Sequence, residues 1–286
     1  MTEIKIIALD MDGTLLDSQK NVSERNRRAL AACAEKGIWV VPATGRAGHG
    51  IAPEIKALPG VRYAIATNGG VVTDLLEGRN LKTCAISNEQ TLSILRRLDE
   101  YPAMYDPYIE GWAITQPEFI EHLDRYGLSP VMQRMVHATR RTVPNIIRYV
   151  EESKKEAEKI NVFFGEEHMG ERERLRRELE QIEGLFVSSS LPNNLEINRE
   201  EATKGNALLW LADYLNIPHS SVMAFGDGEN DVSMLRAAGI GVAMGNAIDK
   251  AKAAASYVTL SNDDDGVAAA LEYFVLGQDG NGIWTS

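Results

Sequence analysis

The run Ile6-Ile7-Ala8-Leu9-Asp10-Met11-Asp12-Gly13-Thr14-Leu15-Leu16 decides how the rest of the chain is read. A short apolar stretch ending in two carboxylates and a glycine has the pattern of a buried strand that delivers acids to its C-terminal tip. In open α/β folds that tip borders the crevice where ligands bind. Asp10 and Asp12 lie close enough in the chain to repel, so the site calls for a cation, a proton or both. A hard divalent ion such as Mg²⁺ suits oxygen ligands of this kind. Taken alone, the same residues also read as a polar turn after a strand, with Asp12-Gly13 as ordinary turn chemistry. An EF-hand loop does not fit: its glycine stands at the sixth position, whereas Gly13 is the fourth residue counted from Asp10.

Composition sets the outer limits. The chain has 286 residues, 44% hydrophobic and 25% charged, which are the proportions of a soluble globular protein with ample core. A formal net charge of −11 argues against a general nucleic-acid binder. It leaves room for a small anionic substrate, because a metal and a few basic residues can reverse the local field. Cys33 and Cys84 belong to no ligand-spaced cluster and suit a reducing compartment. With neither a signal-type apolar segment nor a membrane-length run, the expected location is cytoplasmic, with no membrane partner.

The pattern up to Thr67 alternates strand and helix. Ser23 is positioned to cap a helix carrying Ala29, Leu30, Cys33 and Ala34 on one face, stopped by Gly37. Residues 38–43 read as a second strand ending in Thr44-Gly45-Arg46, although Pro42 weakens its last ladder bonds. A helix through about Leu58 and a strand over 63–67 complete a βαβαβ unit, followed by a hairpin around Glu77-Gly78. The C-terminal part returns to this grammar, with helices over 203–215 and 247–254, a strand over 222–225, a turn through Asp227 and Asp231, and further strands over 240–243 and 257–260. The tail from Gly277 is polar and glycine-rich, the composition of a frayed end. Residues 87–192 mix helices over 89–100 and 171–182 with strands over 110–115, 159–164 and 185–189. That is α+β grammar at domain length. The expected fold is therefore an α/β, doubly wound, Rossmann-like parallel-sheet core (1–86 and 193–286) with an inserted α+β cap domain (87–192). The charged runs 151–159 and 171–180 read as solvated helix faces with i,i+4 ion pairs.

Four sites fall at strand ends or helix starts: Asp10/Asp12, Thr44-Gly45-Arg46, Lys204, and Asp227 through Asp231. Thr44 can donate to an anionic oxygen and Gly45 permits close backbone approach; a capped helix start explains Thr44 equally well. Lys204 stands in the first turn of its helix, where the macrodipole disfavours a cation. That local conflict marks either a functional position or a solvent-facing lysine. Asp227 and Asp231 repeat the strand-turn-helix placement of Asp10 and Asp12, pointing to a shared metal.

Together these residues resemble the haloacid dehalogenase superfamily of phosphatases. Its four motifs are matched by Asp10-Met11-Asp12-Gly13-Thr14, by Thr44, by Lys204, and by Gly226-Asp227-Gly228-Glu229-Asn230-Asp231. Thr44-Gly45-Arg46, Thr67-Asn68-Gly69-Gly70, Asn230-Asp231, Leu195-Glu196-Ile197 before Lys204-Gly205, and the run 241–247 are similar to the Cof-type subgroup. The resemblance covers nearly the whole chain, the insert only loosely. It implies Asp10 as nucleophile and Asp12 as general acid and base. It implies Mg²⁺ held by Asp10, the Asp12 backbone carbonyl and Asp227, with Asp231 supporting the metal directly or through water. Thr44, Gly45, Lys204 and Asn230 are implied to hold the transferring phosphoryl group. Arg46 is left between a leaving-group contact and a structural ion pair. The implied partner is a small phosphorylated metabolite, and oligomeric state stays open. A phosphotransferase or phosphomutase on the same scaffold and a non-catalytic phospholigand sensor are the competing readings. A receiver domain needs no domain-sized insert.

Overall fold

The computed structural model describes residues 3–278; most of the polar tail lies outside the described residues. The strands in chain order are β1 (Ile6–Leu9), β2 (Trp39–Pro42), β3 (Tyr63–Ala66), β4 (Val71–Asp74), β5 (Arg79–Thr83), β6 (Ala103–Ile109), β7 (Trp112–Thr115), β8 (Arg140–Thr142), β9 (Lys159–Phe164), β10 (Leu185–Ser188), β11 (Asn194–Arg199), β12 (Val222–Gly226), β13 (Ile240–Ala243) and β14 (Tyr257–Val258). The helices are α1 (Glu24–Glu35), α2 (Pro53–Lys56), α3 (Asn88–Leu98), α4 (Pro117–Glu121), α5 (Pro130–Thr139), α6 (Ile146–Ser153), α7 (Met169–Leu179), α8 (Lys204–Tyr214), α9 (Val232–Ala237), α10 (Asp249–Lys252) and α11 (Gly266–Phe274). They divide into two compact units, one of residues 1–45, 51–82 and 203–286, the other of residues 46–50 and 83–202.

In the first unit β14-β13-β12-β1-β2 form a parallel sheet. Every residue of β1 is buried, and its side chains alternate between two cores. Ile7 and Leu9 join a cluster with Leu30 of α1 and Val267 and Leu271 of α11. Ile6 and Ala8 join one with Leu208 and Leu211 of α8. Helices thus cover both faces, the doubly wound arrangement expected from the sequence. The chain passes from β1 to β2 on one side while β12 lies on the other, so the strand order reverses at β1 and opens a crevice at its C-terminal end.

Local chemistry explains the element ends. The Ser23 side chain accepts from the Asn26 amide at 3.0 Å to start α1, and Gly37 takes φ +75° just after it. Buried Asn26 in turn accepts from the Ala268 amide at 2.9 Å and ties α1 to α11. Trp39 and Ala43 donate to Lys5 and Leu9, whereas Val40 and Thr44 donate the other way, to Gly60 and Ile65. Pro42 falls in that second set and has no N–H. The pairing of β2 with the β3 segment accordingly shrinks to isolated bridges at Val40 and Ala43. β3 continues into an antiparallel sheet of order β3-β4-β5.

Two expected helices come out shorter. The one placed before Leu58 is a 3₁₀ turn (Gly48–Gly50) followed by the four-residue α2, since Pro53 allows only a fresh start at its own first turn. The one placed over 247–254 is α10, residues 249–252.

The second unit is built on a six-stranded sheet of order β10-β11-β9-β6-β7-β8. One face is apolar, with Ile160, Val162, Leu195 and Ile197 packed in a cluster that includes Leu95 of α3, Val150 of α6 and Leu175 of α7. The unit extends beyond 87–192 at both ends, because β11 completes its sheet between β10 and β9. β6 is a strand the sequence reading lacks; it carries Pro107 in its interior, a residue uncommon inside a sheet. The strand expected over 110–115 begins at Trp112, with Glu110 and Gly111 in a turn at φ +50° and +77°. Of the charged runs, 171–180 does carry i,i+4 pairs, Arg174–Glu178 and Arg176–Glu180. The run 151–159 does not stay on a helix: α6 ends at Ser153, and Glu158 and Lys159 are buried. Among the described residues no helix is long and apolar enough to cross a membrane.

Candidate active site

Three parallel strands end side by side. Leu9 is level with Pro42 and with Phe225, so Asp10 leaves an interior strand flanked by the ends of β2 and β12. Its amide donates to the Phe225 carbonyl at 3.0 Å, which holds the residue in line with the sheet. Asp227 and Asp231 come from the turn after β12. One carboxylate oxygen from each of Asp10, Asp227 and Asp231 lies within 4.8 Å of the others.

Lys204 enters this cluster from the start of α8, where Thr203 caps the helix. Its Nζ donates to Asp10 Oδ1 and to Asp231 Oδ1, both at 2.6 Å, and the side chain is fully buried. The conflict between a lysine and a helix N-terminus is thereby resolved: two carboxylates outweigh one partial positive charge. Burial opposes the ammonium, but Asp10 and Asp231 more than offset it and Lys204 titrates above its ordinary value. Burial is also the main influence on Asp10, which is pushed well above the usual carboxylate range; Lys204 pulls it down and the neighbouring acids push it up. Asp227 is pushed up to about 6, by burial first and then by Asp231.

The donors fit a hard divalent cation. Three carboxylates against one ammonium leave two negative charges in surplus within a buried cluster. Asp227 Oδ1 accepts from Thr14 Oγ1 at 2.7 Å, which orients the group. Asp231 is more fully committed: Oδ1 faces Lys204 and Oδ2 accepts from the amides of Asp227 and Gly228 at 2.9 Å. Those bonds make it a brace for the turn as much as a ligand.

Asp12 sits one turn past the strand, half-exposed, with Oδ1 2.9 Å from Lys20 Nζ. Thr44 is buried at the end of β2, its amide bonded to Ile65 and its carbonyl accepting from the Asn68 amide. Gly45 follows it as the last residue of that stretch of the first unit, while Arg46 groups with the second. Asn230 is buried and donates to Asn68 Oδ1 at 3.0 Å. All eight candidate residues (Asp10, Asp12, Thr44, Gly45, Lys204, Asn230, Asp227, Asp231) thus belong to the first unit.

Three supporting residues lie in the quoted motifs but were given no role of their own. Thr14 orients Asp227, Asn246 donates to the Gly13 carbonyl at 2.8 Å, and Asn68 orients Asn230. Thr67 and Asn68 hold φ of +49° and +59°, a pair of left-handed residues that is costly for a β-branched side chain. The run Thr67-Asn68-Gly69-Gly70 carried that signal, since two adjacent glycines after a strand mark unusual backbone.

The pattern of the haloacid dehalogenase-like hydrolases matches residues 7–271, and the chain belongs to that family. It is a phosphatase-class enzyme of this family, as its named relatives are. A phosphatase of Bacillus subtilis (strain 168), YwpJ, is 35% identical, the match covering 87% of this chain and 92% of that one. The 5-amino-6-(5-phospho-D-ribitylamino)uracil phosphatase YcsE of the same organism is 31% identical, covering 87% of each. A solved haloacid dehalogenase-like hydrolase from B. subtilis superposes with a TM-score of 0.82 at 33% identity, covering 95% of this chain and all of the other.

Proposed function

We propose that this chain is a Mg²⁺-dependent phosphatase of small phosphorylated metabolites, sugar phosphates foremost, working through an aspartyl-phosphate on Asp10. In the first step an Asp10 carboxylate oxygen bonds to phosphorus as the bond to the ester oxygen breaks, and Asp12 gives that oxygen a proton. In the second, Asp12 takes a proton from water, whose oxygen bonds to phosphorus and releases Asp10 and inorganic phosphate. Asp10, the Asp12 carbonyl and Asp227, with Asp231 behind them, would hold the metal, which would supply charge neutralisation for the transferring group. Thr44, the Gly45 amide, Lys204 and Asn230 hold the phosphoryl group, and positioning plus electrostatics provide most of the rate. The inserted unit selects the leaving group.

The observation that carries this reading is Asp10 itself, a buried carboxylate at the tip of an interior strand, 2.6 Å from Lys204 and beside two more acids. The named activities of relatives, a phosphoribityl compound among their substrates, support the metabolite class. The test is hydrolysis of p-nitrophenyl phosphate with Mg²⁺ and with chelator. Wild type should turn over only with metal, and Asp10→Asn should lose at least about 10⁴-fold in kcat with an unchanged melt. Turnover in metal-free buffer, or by Asp10→Asn, removes the mechanism.

A further inference from the structure

Asp12 stands outside the buried cluster, and a second lysine meets it there. Lys20 Nζ donates to Asp12 Oδ1 at 2.9 Å, with both side chains partly exposed. An ion pair of that exposure contributes little to stability. The backbone under Lys20 is nonetheless strained: its φ is +66°, a left-handed conformation that costs a lysine at least as much as such a pair returns. A turn position that suits glycine or asparagine thus holds a lysine, and the stability of the fold does not explain why.

The loop that carries Lys20 is built to hold it. Asp17 Oδ1 accepts from the amides of Gln19 and Asn21, both at 2.8 Å, and the Lys20 amide donates to the Asp17 carbonyl at 2.9 Å. From the C-terminal part of the chain, Asp263 accepts from the Ser18 amide at 2.7 Å and from the Ser18 hydroxyl. Asn262 donates to the Leu16 carbonyl at 2.9 Å. Asn246, which accepts from the Asn262 amide, donates to the Gly13 carbonyl at 2.8 Å. The chain between Asp12 and Lys20 is thereby fixed at Gly13, Leu16 and Ser18, and every residue involved lies in the first unit.

We infer that Lys20 is a positioning residue for Asp12, holding one carboxyl oxygen so that the other meets the ester oxygen of a bound phosphate. The inference rests on the phosphatase reading for the role of Asp12 as proton donor. An oxygen that accepts from an ammonium is not where the acid proton sits, so the pair leaves that proton on Oδ2. In the transfer step the bond from phosphorus to the leaving oxygen breaks as Asp10 bonds to phosphorus, and the proton passes from Asp12 Oδ2 to the departing oxygen. A carboxyl free to rotate spends part of its time aimed elsewhere, and Lys20 removes that loss. Its contribution is therefore largest for a leaving oxygen that departs poorly as an anion and smallest for one that departs well.

Phenyl phosphate and p-nitrophenyl phosphate share a ring and differ in how readily the oxygen leaves unprotonated. Lys20→Asn removes the ammonium and keeps a residue at home in a left-handed turn. The ratio of kcat/KM for phenyl phosphate to that for p-nitrophenyl phosphate should fall about two- to fivefold in this variant, with the thermal melt unchanged or raised. Lys20→Arg keeps the charge and should restore most of the ratio. A lysine that serves only the turn affects both esters equally, so an unchanged ratio overturns the inference, as does an equal fall in Lys20→Arg. Crystal structures of wild type and Lys20→Asn read the contact without turnover. Asp12 should hold one rotamer against Lys20 and spread over several without it; a single unchanged rotamer in the variant also overturns the inference. If wild type cleaves neither ester while Asp12 spreads in the variant, the proposed function falls and the hold of Lys20 on Asp12 stands.

Discussion

Lys204 balances two buried acids at once, so its removal should be felt in stability before it is felt in catalysis. Its ammonium is 2.6 Å from both Asp10 and Asp231. Lys204→Met keeps the length of the stem and abandons both carboxylates, and breaking a buried pair in this way costs about 3–5 kcal/mol. Urea denaturation in chelator should show a loss of that order, and Mg²⁺ should recover part of it; a loss below about 1 kcal/mol would mean that the cluster is solvated. Protonation at the same cluster would compete with a bound cation. Asp227 is pushed up to about 6 from an ordinary 3.8, so the metal-free folded chain holds this proton more tightly than the unfolded one. Its contribution to metal-free stability is therefore greatest in acid and declines as pH rises through about 6. Metal binding has the opposite dependence, because Mg²⁺ must displace the proton. Calorimetry in buffers of different ionisation enthalpy should detect proton release on Mg²⁺ binding near pH 5.5 and none near pH 8, with weaker affinity at the lower pH. Equal proton release at both would place the titrating group elsewhere.

At the scale of elements, the site depends on strands that stop in register and on two turns that admit only glycine. Gly13 has φ +90°, and a Cβ there would lie 2.5 Å from Asp227 Oδ2. Gly69 has φ +102°, and a Cβ there would lie 2.2 Å from the Thr203 carbonyl, against the start of α8. Gly13→Ala should weaken Mg²⁺ binding at least tenfold, because Asp227 must swing away, while costing about 1–3 kcal/mol in stability through backbone strain. Metal titration and a denaturant curve on the same variant check both halves; unaltered affinity would show that Asp227 does not bind the ion. The elements themselves were legible to different degrees. β1, β9 and β13 are continuous apolar or alternating runs and emerge with the expected residues. The segment after Thr44 failed as a long helix because Gly48, Gly50 and Pro53 interrupt every turn. Asn194-Leu195-Glu196-Ile197-Asn198 alternates as β11 requires, yet the sequence reading placed no strand there, and its polar half is buried as well as its apolar half.

For the whole molecule, the candidate site lies within one of the two units. All the metal-directed acids belong to the first unit. Metal binding stabilises only the conformation that holds it, by about 2.7 kcal/mol at a hundredfold excess over Kd. Mg²⁺ should therefore slow amide exchange over residues 6–16 and 222–231 and leave β6, β9 and β11 at their metal-free rates. Equal protection across both units would mean that they open together rather than as separate cooperative blocks.

The sequence by itself determined the class of fold and marked the acids and the lysine that gather at the end of β1. Asp10, Asp12, Lys204, Asp227 and Asp231 are marked by local patterns, an apolar strand ended by acids and a cation at a helix start, which survive translation into three dimensions because strand tips and helix termini are defined by neighbours in the chain. Only the tertiary structure decided which residues complete that cluster. The pairing of Asn68 with Asn230 spans 162 residues and that of Thr14 with Asp227 spans 213. The polar row Ser188-Glu196-Asn161-Asp106 exists only once four strands are in register. Contacts between strands are set by register and burial, which depend on the packing of the whole sheet and leave no trace in any one segment.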